Sequence, residues 1–347
     1  MNVAVTGLNA VDTPGPGVPV IRCLKEAPDY KGNIIGLAYD ALEPGILDSN
    51  LLRSAYLLPY PSVGAQSLLE RIRFIHEREH LSAIIPTLDA ELQNFIQIKK
   101  DLLALNICLT LPTEESLRRR LKVNLPKFAD EFGFKTPKTS LITDPNRMSL
   151  TEKDLPVFVK GVFYEAYLAY TMDDVYRYIQ KISAKWGYPV LLQEYIEGEE
   201  FNAATVGDEG NAVGIVCMKK LVLTDKGKGW ACVTIKNDDL IDLTRKIVAS
   251  LKWHGPIEVE VIFSKKDHQF YIIELNPRFP AWIYLAKAAG INLPLLSLGL
   301  AMGEQWKNVT DYKTGIVFSN YTTNLITDLT RIQTLFTTGE IHYEKAV

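Results

Sequence analysis

The stretch Phe270 to Trp282, FYIIELNPRFPAW, restricts what this chain can become. Tyr271, Ile272 and Ile273 bring the β-branched and aromatic bulk of a buried strand. Side chains alternate between the faces of a strand, so Glu274, Asn276 and Arg278 share one face while Leu275 and Pro277 take the other. Just upstream, GPIEVEVIFSKKDHQFYIIELNPRF reads as a hairpin turning at Lys265 to His268. Glu258 and Glu260 alternate with apolar residues there and can lie beside Glu274 and Asn276. Polar groups inside an apolar strand pair are costly unless partnered, so the choice is between an internal salt-bridge network and a bound cation. The density of oxygen donors favours the cation. Glu260, Glu274 and Asn276 offer the hard ligands magnesium takes, with phosphate oxygens completing the shell. Arg278 is suited to a phosphate in bidentate fashion.

The remaining sequence narrows the class. With 347 residues, 47% of them hydrophobic, and a net charge of −3, the chain has a globular composition. Near-neutral charge argues against nucleic acid as a main partner. No apolar run approaches the roughly 20 residues of a membrane span, and MNVAVTG begins as a strand without a basic leader, so no membrane partner and a cytoplasmic location are expected. Cys23, Cys108, Cys217 and Cys232 stand singly and read as reduced core thiols.

NVAVTG, NIIGLAYD and SAIIPTLD are short buried strands, separated by helical segments at Val18 to Glu26 and Ser67 to Glu79. This βαβ rhythm predicts an α/β chain with an N-terminal doubly wound parallel sheet. In GLNAVDTPGPGVP the glycines miss the dinucleotide spacing, so a strand-to-helix turn is expected. Asp89 and Glu91 read as an N-cap and first-turn acid, with a place in the substrate crevice as the alternative. A helix stopped at Gly133 follows, and then the strand of VFVKG presents Lys160 at its end, a point charge for phosphates, before GVFYEAYLAYTMDDV leads into a helix ending near Trp186. QEYI closes a strand with backbone groups free for a base edge, and GDEGN reads as a hairpin turn. KKLVLTDKGKGWACVTIKND, rich in lysine and glycine, reads as a mobile loop.

VFVKG, LLQEYIEGEEF, GPIEVEVIF and IIELNPRF together resemble the successive motifs of the ATP-grasp superfamily. The carboxylate-amine ligases similar to the ATP-binding module of carbamoyl-phosphate synthase are the nearest pattern. The resemblance covers nearly the whole chain. It implies an N-terminal Rossmann-like pre-ATP-grasp domain over 1–112 and an α+β ATP-grasp fold of two subdomains, a lid region over 113–192 and a metal- and phosphate-binding part over 193–347. It implies ATP and Mg2+, with Mn2+ as a substitute. Lys122 and Lys160 become the nucleotide lysines, although Lys122 in RRRLK also fits a solvated helix face. Gln193, Glu194 and Ile196 edge the adenine, Glu200 holds the ribose, Glu260, Glu274 and Asn276 bind the metal, and Arg278 with Lys160 serves the transferring phosphoryl group.

The implied activity is an ATP-dependent ligation of a small-molecule carboxylate to an amine, an amino acid or peptide among the candidates, through an acyl phosphate. A lid from Lys219 to Trp230, with Lys219 or Lys220 nearing the phosphates, would exclude water. A homodimer is one assembly open to it. Two departures stand out. The segment after Lys160, KGVFYEAYLAY, is poor in the glycines of a phosphate-covering loop, which keeps open an ATP-binding regulatory protein without turnover. Trp282 follows NPRF where small residues are usual, either as core or as a substrate-pocket wall. His254 and His268 read as surface or turn residues, and the chain ends about 70 residues after NPRF, too few for the extra C-terminal domain of a biotin carboxylase.

Overall fold

A computed structural model describes residues 1–11, 13–162, 165–224, 227–306, 309–321 and 324–343. The first sheet has five strands, in the order Glu340–His342, Ser54–Leu57, Asn33–Ala38, Asn2–Val5 and Ala83–Ile85. Its four N-terminal strands run parallel. Alternating residues of these strands feed two different cores: Val3, Val5 and Ile34 pack with Val20, Ile21 and Leu24 of helix Gly17–Lys25, while Ala4 and Ile35 pack with Leu68, Ile72 and Ile75 of helix Ala65–Glu79. That is the doubly wound arrangement the βαβ rhythm predicts. The described part of GLNAVDTPGPGVP turns from strand to helix, and Asp12 lies outside the described residues. One strand was not expected there: Glu340–His342 pairs antiparallel with Ser54–Tyr56, so the tail of the segment expected as 193–347 is built into the N-terminal sheet.

The second sheet has six strands in the order Phe270–Asn276, Gly255–Ser264, Gly198–Asp208, Asn211–Leu223, Gly229–Ile235 and Val317–Ser319. Helix Asp238–Leu251 packs through Leu240, Ile247 and Val248 into the core that holds Ile35 and Phe95, and helices Ile283–Ala289 and Leu293–Ala301 pack into the core that holds Val3 and Ile21. The two sheets therefore share both cores. The hairpin at GDEGN has Glu209 and Gly210 at positive φ between paired Asp208 and Asn211, and the hairpin at Lys265 to His268 forms as expected.

A third sheet of four strands, Thr139–Ile142, Val190–Glu194, Val157–Gly161 and Ala166–Ala169, packs on helix Met172–Trp186 with a small core of its own around Val159, Val175 and Ile179. The helix that GVFYEAYLAYTMDDV leads into forms and ends at Trp186 as expected, but a strand not expected precedes it: Ala166–Ala169 folds back along Val157–Lys160, and the Gly161 amide donates to the Glu165 carbonyl at 3.0 Å. Phe163 and Tyr164 lie outside the described residues. The mobile loop expected from Lys219 to Trp230 is instead largely the paired arms of Asn211–Leu223 and Gly229–Ile235, because ladder hydrogen bonds outweigh its lysine and glycine content. Asp225 and Lys226 at its tip lie outside the described residues. The cysteines are free. Among the described residues no single helix is long and apolar enough to cross a membrane.

Gly7 ends the first strand with φ 71°, and a Cβ there would fall 2.0 Å from the Thr87 hydroxyl oxygen. Gly7→Ala should lower the stability measured by urea unfolding by about 1–3 kcal/mol. An unchanged midpoint would mean that the turn relaxes without cost.

Candidate functional site: a charged sheet face

The antiparallel register assembles the site from four of the strands between 198 and 276: Gly198–Asp208, Asn211–Leu223, Gly255–Ser264 and Phe270–Asn276. Glu258 stands opposite Asn276 and Glu260 opposite Glu274, as the alternation of the two strands predicts. On the other side of Glu260 stands Asn202. Lys220, on the next strand, extends its Nζ to Glu200 Oε2 at 2.7 Å and to Glu260 Oε2 at 3.2 Å, with its side chain only 8% exposed. The Asn276 amide donates to Glu258 Oε2 at 3.0 Å and Glu260 Oε1 at 2.8 Å. Glu258 also accepts from Asn202 Nδ2 at 2.7 Å and from the Trp282 indole at 2.6 Å. Trp282 therefore belongs to the core and pins a site carboxylate at once.

Cations close the face. Lys122 reaches Glu274 Oε1 at 3.1 Å, so it is not a solvated helix-face lysine. Lys160, on the separate four-stranded sheet, donates to Gln193 Oε1 at 2.6 Å. Arg278 lies beyond the strand, which ends at Asn276, so strand alternation does not place it. A bend does, and its Nε donates to Asp89 Oδ1 at 2.9 Å while Nη1 sits 3.9 Å from Glu258 Oε2. Asp89 is the first residue of helix Asp89–Ala104, whose N-cap is Leu88 rather than Asp89. Glu91 is the first-turn acid expected, accepting from the Thr87 and Leu88 amides and from the Thr6 and Tyr39 hydroxyls. Asp89 itself pairs with Arg278, 189 positions away in the sequence.

Burial and charge oppose each other throughout this cluster. Burial alone would lower the Lys220 pKa, but Glu260 and Glu200 outweigh it and the ammonium is held charged. Burial would likewise raise Glu260, but Lys220 and then Arg278 hold it below the usual carboxylate range. Glu258 is pushed up, by burial first and then by the charge of Glu260. Lys160 is pulled down to about 8 by burial and by the nearby Lys122 charge.

Three expected residues are not brought to this face. Lys219 points away from Lys220, as neighbours on a strand must, and pairs with Glu199 at 2.6 Å on an exposed surface. Glu194 has its carboxylate and amide both engaged with the backbone of Lys138, so that amide is not free for a base edge. Ile196 lies in the linker before Gly198, outside the paired strands that carry the charged face. Asn202, Arg120 and Trp282 are site neighbours that the motif pattern alone does not single out. His254 meets Asp208 at 3.6 Å and His268 lies against Phe263, both away from the charged face.

The donor set fits magnesium. Among the described residues no group of three or more His, Cys, Asp and Glu side chains is set for a metal, but magnesium needs only one or two carboxylates when phosphate oxygens supply the rest. Asn202 Oδ1 is buried beside Glu260 without a hydrogen-bond partner, an orphaned oxygen of the kind a cation or its water would satisfy.

Residues 188–324 match the model of the family described as ATP-grasp in the biosynthetic pathway with Ter operon. The chain is 26% identical over 197 residues to the carbamoyl-phosphate synthase of Methanobrevibacter smithii, covering 53% of this chain and 52% of that protein. It is 29% identical over 140 residues to the carbamoyl phosphate synthase large chain of Caldanaerobacter subterraneus subsp. tengcongensis, covering 38% and 13%. Residues 188–324 thus carry an ATP-grasp match, and the chain is similar to ATP-grasp carboxylate-amine ligases. The chain spans about half the length of the first of these relatives. Its fold is shared with the L-amino acid ligase of Bacillus licheniformis, at TM-score 0.66, 17% identity and coverage of 87% and 74%. The biotin carboxylase domain of the Hydrogenobacter thermophilus 2-oxoglutarate carboxylase, solved with MgADP and bicarbonate, superposes at TM-score 0.66, 17% identity and coverage of 88% and 71%. The superfamily in general uses ATP and Mg2+.

A lysine with a pKa of about 8 is half neutral at that pH, and phosphate oxyanions favour its charged form. Binding of a magnesium–nucleotide complex near pH 8 should therefore take up roughly half a proton, falling towards zero near pH 6 where Lys160 is already charged. Calorimetry in buffers of different ionisation enthalpy measures this, and Lys160→Arg should abolish it. Equal uptake by the variant would remove Lys160 from the phosphate site.

Proposed function

We propose that this chain is an ATP-dependent ligase that joins a small-molecule carboxylate to an amine through an acyl phosphate. The observation that carries the reading is the cross-strand juxtaposition of Glu260, Glu274 and Asn276 with Lys220, Lys122 and Arg278 closing round them. Glu260, Glu274 and Asn276 would hold magnesium, which when bound neutralises phosphate charge. Lys160 and Lys122 would receive the nucleotide phosphates, Gln193 the base edge beside Lys160, and Glu200 the ribose. A carboxylate oxygen of the substrate attacks the γ-phosphorus, the bond from that phosphorus to the β-bridging oxygen breaks, and ADP leaves with the electron pair. Arg278 would meet the charge shifting onto the transferring group. A neutral amine then attacks the acyl carbon, inorganic phosphate leaves, and the ammonium formed loses its proton. The carbamoyl-phosphate synthase relatives support the acyl-phosphate route, and the L-amino acid ligase neighbour supports an amino acid as one partner.

A regulatory ATP binder is the second reading, favoured by the glycine-poor segment after Lys160 and by the pairing of Ala166–Ala169 with Val157–Lys160, which puts a strand where a long phosphate-covering loop would follow. Turnover separates the two. With a pool of the twenty L-amino acids and MgATP, the ligase reading expects ADP and inorganic phosphate; AMP with pyrophosphate, or no amino-acid-dependent release from any pool of amino acids and small carboxylates, would count against it. Arg278→Ala should lower the rate of phosphate release by about 100-fold or more while changing ATP affinity far less. Arg278→Lys should restore binding more fully than turnover, because an ammonium lacks the planar fork. Equal rates in all three proteins would make Arg278 structural.

A further inference from the structure

Arg120 carries an unused half of a guanidinium. It caps the short helix Glu114–Arg119 and extends towards the junction of the first sheet with the charged face, where its side chain is only 11% exposed. Nη1 donates to Asp89 Oδ2 at 3.0 Å and lies 3.5 Å from the Leu275 carbonyl. Nε is buried and has no hydrogen-bond partner. A buried N–H without a partner is destabilising, and Nε belongs to the edge that, with Nη2, forms the fork matching two oxygens of one anion. Asp89 holds Arg278 through its other oxygen, so one carboxylate carries two guanidinium groups, and while Arg278 has Glu258 as a further acid at 3.9 Å, the Nε of Arg120 is left unpaired.

We propose that Arg120 is the anchor for the substrate carboxylate, gripping a two-oxygen anion through its Nε edge next to Arg278. This rests on the ligase reading for the identity of the anion. The same fork would also accept a nucleotide phosphate, and that source must be told apart. The site takes small carboxylates at the junction of the first sheet with the charged face, and Asp89 keeps the two arginines from repelling each other before substrate arrives.

The first test needs no turnover. The 15N-labelled protein has an Arg120 Nε–H resonance, identified by its absence in Arg120→Lys and slowed in exchange by burial. Titration with acetate should shift it saturably, and titration with the magnesium complex of a non-hydrolysable ATP analogue should leave it in place. A resonance unmoved by acetate, or moved by the nucleotide alone, overturns the proposal. The second test uses phosphate release: in Arg120→Lys the amino-acid pool should need at least a tenfold higher concentration for half-maximal release, with the KM for ATP changed less than twofold. Equal rises in both would assign Arg120 to the nucleotide. Because the resonance reads anion binding without catalysis, a shift with acetate in a protein that releases no phosphate would sink the ligase reading and keep the anion seat.

Discussion

The ammonium of Lys220 buried between Glu200 and Glu260 is the interaction on which the charged face depends. Two facing strands that bring Glu258, Glu260 and Glu274 together would repel each other if all three were ionised and unpaired. Lys220 holds Glu260 charged, Lys122 takes Glu274, and Glu258 is left as the group that burial drives towards its neutral form. Removing one member of such a buried set costs on the order of 3–5 kcal/mol, because a charge is left uncompensated. The lysines thus offset the repulsion among these carboxylates, and on the proposed reading a cation binding to the set would displace ammonium groups.

Much of this was legible in the strand alternation. The period of two places Glu274 with Asn276 and Glu258 with Glu260 whatever the partner strand does, and the pairing of the two follows from a hairpin turn at Lys265 to His268. Adjacent residues are where pattern reading fails. Lys219 and Lys220 look equivalent in sequence, and only the register with Phe201 decides that one lies outside with Glu199 and the other inside with Glu260. Composition failed for the same physical reason at the expected lid: lysine and glycine describe an isolated segment, while pairing to Gly229–Ile235 satisfies its backbone. Asp89 and Arg278 are 189 positions apart, and no local pattern reports a contact at that separation.

The three cores explain where the site is firm and where it can move. The first sheet and the six-stranded sheet share two continuous cores, so Asp89, Arg120 and Arg278 are held by elements that cannot shift independently. Lys160 and Gln193 stand on the four-stranded sheet, whose core around Val159 and Ile179 is separate and small. Fewer buried contacts tie that sheet to the rest, and motion on the timescale of substrate entry is drawn from such weakly tied units.

On the proposed ligase reading, that division would assign the two ends of an ATP reaction to different mechanical parts. The phosphoryl acceptor must sit within bonding reach of the γ-phosphorus, and a misplacement of about 1 Å costs on the order of a hundredfold in rate. On the proposed reading, groups that aim the acceptor would belong on the firm part, where Glu91 fixes the turn before Asp89 through the Thr87 and Leu88 amides and Asp89 in turn fixes both arginines. The nucleotide would then be met by the sheet with its own core, because Lys160 would contribute a point charge whose pull falls off gradually with distance rather than a directed fork. A lysine on the separately cored sheet and arginines on the shared cores is the order that the different tolerances of the two side chains would require.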